Sequence, residues 1–214
     1  HDVQSEDGSY TFLLLNMADL PFIVDTVRIT VSDCAIPIMK FYNVAELLLP
    51  RDQKGALVSM APPDSTQEKE LLTIFRLSKI SDEEKAQLEE ALIAVLKDVR
   101  FAVEDWPNMQ ALMMEVIETW VHASKSSAKA KRYQSVLDFM EWMHRYYTYL
   151  GARCYSLSGE GNARSLKRDR KHALGVMKSK RFDGIKQSVY QEKQLANMGQ
   201  NVENNLFYIT KSTM

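Results

Sequence analysis

Cysteine is nearly absent from this sequence: Cys34 and Cys154 are the only two in 214 residues, and they form no C-x-x-C pair. Neither a zinc site nor a disulfide framework is suggested, and a reducing, cytoplasmic setting is expected. Charge of one sign is not in excess either. With 27 basic and 28 acidic side chains the formal net charge is -1, which gives no global field for nucleic acid or an anionic membrane; any such partner must be recognised locally, nucleic acid through the basic stretch from Arg164 to Arg181 being a third reading, and neither is expected. No apolar run approaches the roughly 20 residues that span a bilayer, and no basic-then-apolar leader opens the chain. Internal repeats and low-complexity tracts are missing. What is present is core-forming material: 45% of the residues are hydrophobic, which suits one large domain or two small ones. The chain starts at His1 and stops at Met214 soon after a strand-like LFYIT, so an excised fragment is expected.

The clearest structural signal is the stretch from Ile80 to Trp106. Ser81 can cap its first turn and Glu84 can return the hydrogen bond, with Asp82 and Glu83 complementing the positive end of the helix dipole. Leu88, Leu92, Val95, Val99, Val103 and Trp106 then recur at helical spacing, which predicts one buried side. Pro107 is expected to end the helix, because the residue before a proline is pushed out of the helical region. Upstream, His1 to Ser9 read as a frayed polar end and Tyr10 to Asn16 as a short buried strand. Asp19 is placed to cap a helix with Pro21 among its early positions and Leu20, Ile23, Val24, Val27 and Val31 in helical period. A long strand follows from Pro37 to Leu49, then a turn over Pro50 to Gly55 and a hairpin return over Ala56 to Met60. Ala61 to Lys69 is a polar loop, and Leu71 to Lys79 is another strand.

The order strand, helix, strand, strand, helix predicts an α+β domain over residues 10–106, a small antiparallel sheet with two helices on one face in the ferredoxin-like split βαβ arrangement. Two amphipathic helices, the first carrying Met109, Met113 and Trp120 and the second Leu137, Met140 and Met143, predict a helical hairpin over 107–147, joined through Ala123 to Lys131. Thr148 to Leu157, Ala173 to Lys178 and Asn205 to Thr210 read as strands of a second, incomplete β-containing module over 148–214.

Few residues point to chemistry. The stretch Gly159 to Arg164, GEGNAR, lacks the third glycine and the following helix of a dinucleotide loop, so it reads as a polar loop. Glu141 and His144 share a helix face, but a di-metal bundle needs that pair twice, and no metal is expected. The basic stretch from Arg164 to Arg181 lacks interleaved aromatics and reads as a solvated loop. Neither cysteine has a recognisable base and orienting group around it, so no catalytic residue is assigned.

Four segments in order, LPFIVDTVR, LKDVRFAVEDW, FMEWMHRYYTYLGARCYSL and FYITKS, resemble the N-terminal region of the large, bacterial-type NAD-specific glutamate dehydrogenases. The matching family pieces run approximately PFLVDSV, DVRAAVEDW, FLEWL with FTFLGYREY, and a terminal TKS or TKA. This chain departs at Ala152 and Cys154 and in an expanded 158–172 loop. The resemblance implies that the part up to Trp106 is an ACT-like module, and that the catalytic lysine and the NAD-binding domain lie beyond Met214. No cofactor is therefore expected in this fragment, and NAD belongs to the parent enzyme. It also implies a possible amino-acid effector at the first strand-to-helix turn, at Asn16, Asp19, Leu20 and Phe22, where free N–H groups at a helix start can hold a carboxylate. That turn lacks the glycine that lets a ligand approach the backbone. Self-association, or packing on the remaining domains of the parent chain, is the competing expectation, and a free-standing amino-acid sensor is the alternative reading.

Overall fold

The computed structural model describes residues 2–5, 8–58, 68–125, 130–158 and 165–182. It divides between Arg100 and Phe101 into two compact units. In the first, strands β1 (Asp2–Ser5), β2 (Gly8–Ala18), β3 (Ile38–Leu47) and β4 (Glu70–Ser78) form one antiparallel sheet in the order β1-β2-β4-β3. Because β2 and β3 both run antiparallel to β4, the connection through helix α1 (Ile23–Asp33) is the split βαβ crossover that the element order predicts. The central strand β4 alternates strictly. Leu71, Thr73, Phe75 and Leu77 are buried, while Leu72, Ile74 and Arg76 on the opposite face are only half-buried. Only one face of the sheet is therefore covered. From α1 it receives Ile23, Val27 and Val31, a one-turn repeat that keeps this β-branched segment helical.

Helix α2 (Asp82–Glu104) starts as the sequence predicts. The Ser81 N–H donates to Glu84 Oε2 at 2.7 Å and the Glu84 N–H donates to Ser81 Oγ at 3.2 Å, a reciprocal capping box. Leu88, Leu92 and Val99 are buried, so the inward face is the one that the periodicity selects.

Several boundaries differ from the sequence expectation. Within the polar start, His1, Glu6 and Asp7 lie outside the described residues and the rest is not frayed: Asp2–Ser5 pairs with Gly8–Thr11, occupying the edge that a strand after α2 would take in a complete split βαβ sheet. Asp2 explains the order there, since its carboxylate accepts hydrogen bonds from Lys85 Nζ at 2.9 Å and Thr11 Oγ1 at 2.8 Å. These bonds, Lys85 first, hold the Asp2 carboxyl below the usual carboxylate range. Helix α1 begins at Ile23 and not at Asp19, and Pro21 lies in the preceding turn, because Asp19 is bonded elsewhere. After β3, the return over Ala56 to Met60 reduces to one bridge, Arg51 to Leu57, with Ser59 and Met60 outside the described residues. The helix expected to end at Pro107 ends at Glu104. Trp106 opens helix α3 (Trp106–Lys125), with Pro107 in its first turn, where a missing N–H costs nothing.

In the second unit α3 and helix α4 (Ala130–Tyr146) extend into the expected connection from both sides. They share a core of Met113, Ile117, Leu137, Met140 and Met143, with methionine filling between the helices. Strands β5 (Gly151–Ser158) and β6 (Ser165–Gly175) form an antiparallel hairpin. Lys167, Arg168, Arg170 and Lys171 of the basic stretch therefore sit in a strand, where sequence reasoning expects a loop. Polar side chains do not oppose a strand when the backbone ladder is satisfied by a partner. The strand expected over Ala173 to Lys178 closes at Gly175 and becomes a 3-10 turn, Val176–Lys178. GEGNAR and Asn205 to Thr210 lie outside the described residues.

Candidate functional site

The end of β2 and the turn that follows it hold the four residues singled out as an effector site. Asn16 stands at the end of β2, where its Nδ2 donates to Glu70 Oε2 at 2.9 Å and to the Leu71 carbonyl at 3.2 Å. Its Oδ1 accepts from Arg51 at 2.7 Å. Arg51 also forms a paired contact to Glu70, 2.5 Å from Nε to Oε1 and 2.7 Å from its terminal nitrogen to Oε2. That hydrogen bond from Arg51 is the main reason the Glu70 carboxyl is held below its usual range, outweighing partial burial. The Asp19 carboxylate accepts the Glu46 backbone N–H at 2.8 Å, and the Asp19 N–H donates to the Lys69 carbonyl at 2.8 Å. Leu20 is half-buried. Phe22 is 44% exposed and adopts a left-handed φ of 72° at the start of α1, with no side chain capping the helix.

The structure thus brings Asn16 and Asp19 together with Arg51, Glu70, Glu46 and Lys69, none of which the sequence groups with them. Their polar groups are engaged in tying the 48–58 segment and the end of β3 to the sheet. The first turn of α1 carries Asp25, whose charge complements the helix dipole and opposes an incoming carboxylate. Beside this turn, between α1 and the start of β3, lies an open groove of about 800 Å³ lined by Asp25, Arg28, Ser32, Ile36 and Ile38 among others. Arg28 reaches from it over the Phe41 ring, 5.1 Å from the centroid.

A second concentration of polar contacts lies within the other unit, at the helix junction. Asp105 is 5% exposed, and its Oδ2 accepts the Gly175 N–H at 2.7 Å and Lys178 Nζ at 2.6 Å. Burial pushes the Asp105 carboxyl up, but Lys178, Gly175 and Asn108 together outweigh it and hold it below the ordinary range. A depressed folded value means that this stabilisation is complete above the unfolded value of about 3.9 and is lost as the pH falls toward the folded one. Asp105→Asn is accordingly expected to destabilise the second unit by about 1–3 kcal/mol at pH 7. The deficit should shrink below about pH 4. Denaturant titrations at pH 7 and pH 3 check this, and a deficit independent of pH would remove the charge from the explanation.

Neither unit shows a group prepared for nucleophilic chemistry among the described residues. Burial, and then the nearby charges of Asp169 and Glu115, push the Cys154 thiol up, the opposite of what a reactive thiolate needs. Glu141 is exposed and His144 half-buried, and no cluster of metal-ligating side chains occurs among the described residues. No described helix is long and apolar enough to cross a membrane.

Comparison with known proteins follows the same division. Residues 2–92 match the family model of the glutamate dehydrogenase ACT1 domain. An NAD-specific glutamate dehydrogenase of Halomonas elongata is 25% identical over 197 residues, covering 90% of this chain and 12% of that protein. One from Pseudomonas aeruginosa is 29% identical over 163 residues, covering 74% of this chain and 10% of that protein. The chain spans about a tenth of the length of these relatives.

Proposed function

From the match of residues 2–92 to the glutamate dehydrogenase ACT1 domain, we propose that the chain is a non-catalytic regulatory and assembly region, N-terminal in an NAD-specific glutamate dehydrogenase. The parent enzyme would convert L-glutamate and NAD to 2-oxoglutarate, ammonia and NADH in the cytoplasm, with NAD held outside this region. The observation that carries the reading is the coincidence of the family match with the split βαβ sheet, inside a similarity that covers 90% of the chain. Assembly, with a second copy or with other domains of the parent, is favoured over amino-acid sensing at Asn16, Asp19, Leu20 and Phe22. Asn16 and Asp19 already spend their polar groups on internal partners, and a carboxylate ligand would have to displace them.

Hydride transfer needs a site that fixes the nicotinamide against the substrate carbon, and the usual pyrophosphate anchor is a glycine-rich turn at a helix start. The sequence offers only GEGNAR for that task. The purified chain, given L-glutamate and NAD, is expected to produce no absorbance of reduced cofactor above a protein-free control. Calorimetry should likewise detect no NAD binding tighter than millimolar. Turnover that a mutation within these residues abolishes would overturn the non-catalytic reading. Saturable binding of an amino acid at the first turn, lost in Asn16→Ala, would favour the sensor instead.

A further inference from the structure

Helix α4 carries two apolar stripes. Leu137, Met140 and Met143 are buried in the core that it shares with α3. Phe139, Trp142 and Tyr146, spaced by three and then four residues, form a second stripe and are 52%, 46% and 64% exposed. These rings are packed on one another. Trp142 stacks on Phe139 with centroids 5.9 Å apart, lies 6.2 Å from the Tyr146 ring and meets Tyr147, itself exposed, edge-on at 5.2 Å. Aromatic side chains that already hold each other in place lose little freedom when they are covered, which marks the stripe as a contact surface. Its two flanks differ. On one side Val136 and Met143 belong to the packing against α3, and on the other stand Asp138 and Arg145, both exposed. Asp138 is held by a neutral donor, Gln134 Nε2, at 2.8 Å.

We propose that α4 joins two copies of this chain, helix to helix, antiparallel and crossing at Trp142. The pattern itself argues for a second copy as the partner. Phe139 and Tyr146 lie to either side of Trp142, and so do the opposite charges of Asp138 and Arg145. A two-fold axis at Trp142 therefore sets Phe139 of one copy against Tyr146 of the other, and Asp138 against Arg145 twice. A different partner would not require this mirror order. In an antiparallel pair like flanks meet, charged with charged and α3 side with α3 side. A parallel pair would instead press the charges of one copy onto the Val136 and Met143 flank of the other. Each ring carries about 150–250 Å², so the four leave on the order of 400 Å² uncovered per copy and about 800 Å² in a pair, which suits a weak dimer that forms as concentration rises. This inference rests on the assembly reading above and gives it a surface and a register.

Sedimentation equilibrium of the 214-residue chain tests it, using Asp138→Arg, Arg145→Asp and the double reversal, each checked for folding by circular dichroism. Each single reversal sets like charges together twice and should weaken dimerisation roughly tenfold or more. The double reversal should restore it. An equimolar mixture of the two single variants should also associate, since both contacts between unlike copies then set a carboxylate against a guanidinium. A dimer indifferent to the reversals would overturn the α4 seam while leaving the assembly reading standing. A wild-type chain that stays monomeric at all concentrations would overturn the seam and self-association together, leaving assembly only with other domains of the parent.

Discussion

Gly175→Ala is expected to destabilise the second unit by about 2–6 kcal/mol, the sum of two separate costs. Gly175 has φ 58° and ψ -141°, a backbone region that only glycine enters readily. The space is closed as well. A Cβ there would collide with the Leu150 carbonyl oxygen and lie 2.9 Å from Gly151 Cα. These neighbours are backbone and cannot swing aside. They are also committed, because the Leu150 carbonyl accepts the Val176 N–H at 2.9 Å while the Gly175 N–H serves Asp105. Trp106, Trp120 and Trp142, the only tryptophans, all belong to this unit, so the urea midpoint of tryptophan fluorescence reads it directly. Gly55→Ala is the control: φ is 81°, but nothing lies within 4 Å of the added carbon, so only about 1–2 kcal/mol is at stake. A loss for Gly175→Ala no greater than that would mean that the close approach of the two backbones is not a constraint.

Phe75→Ala carries the largest expected effect in the first unit, about 3–5 kcal/mol. The side chain is fully buried at the middle of the central strand, with Leu13 and Phe41 as its register partners. Its ring stacks on Phe41 with centroids 5.9 Å apart. Removing it leaves a cavity between the sheet and the helices that flanking strands cannot collapse to fill without breaking the ladder on both sides. Phe41→Ala, at 42% exposure on the edge strand, should cost clearly less. Urea unfolding followed by far-ultraviolet circular dichroism compares the two. Equal losses would mean that the covered face of the sheet is not the core of this unit.

The fold was legible wherever local chemistry and burial agree. Ser81 and Glu84 bond each other within one turn, and Leu88, Leu92 and Val99 repeat at the helical period, so nothing distant was needed to find α2 or its inner face. The α+β order and the antiparallel sheet followed from strand lengths and turns in the same way. The candidate turn could be located but its occupation could not be read, since Asn16 and Asp19 are engaged by Arg51, Glu70 and Glu46, residues 27 to 54 positions away. Two further features depend on partners that sequence does not place. Asp2–Ser5 becomes a strand because Lys85, 83 residues on, and Thr11 satisfy Asp2. The helix breaks at Asp105, short of Pro107, where that carboxylate meets Gly175, 70 residues later. Hydrogen-bond capacity is written into each residue, and short-range sequence therefore determined the four α-helices and strands β2 to β5, but not β1 or most of β6. Which donor meets which acceptor is settled only when the chain closes on itself, and that decided where the elements begin, where they end and which polar groups remain for a partner.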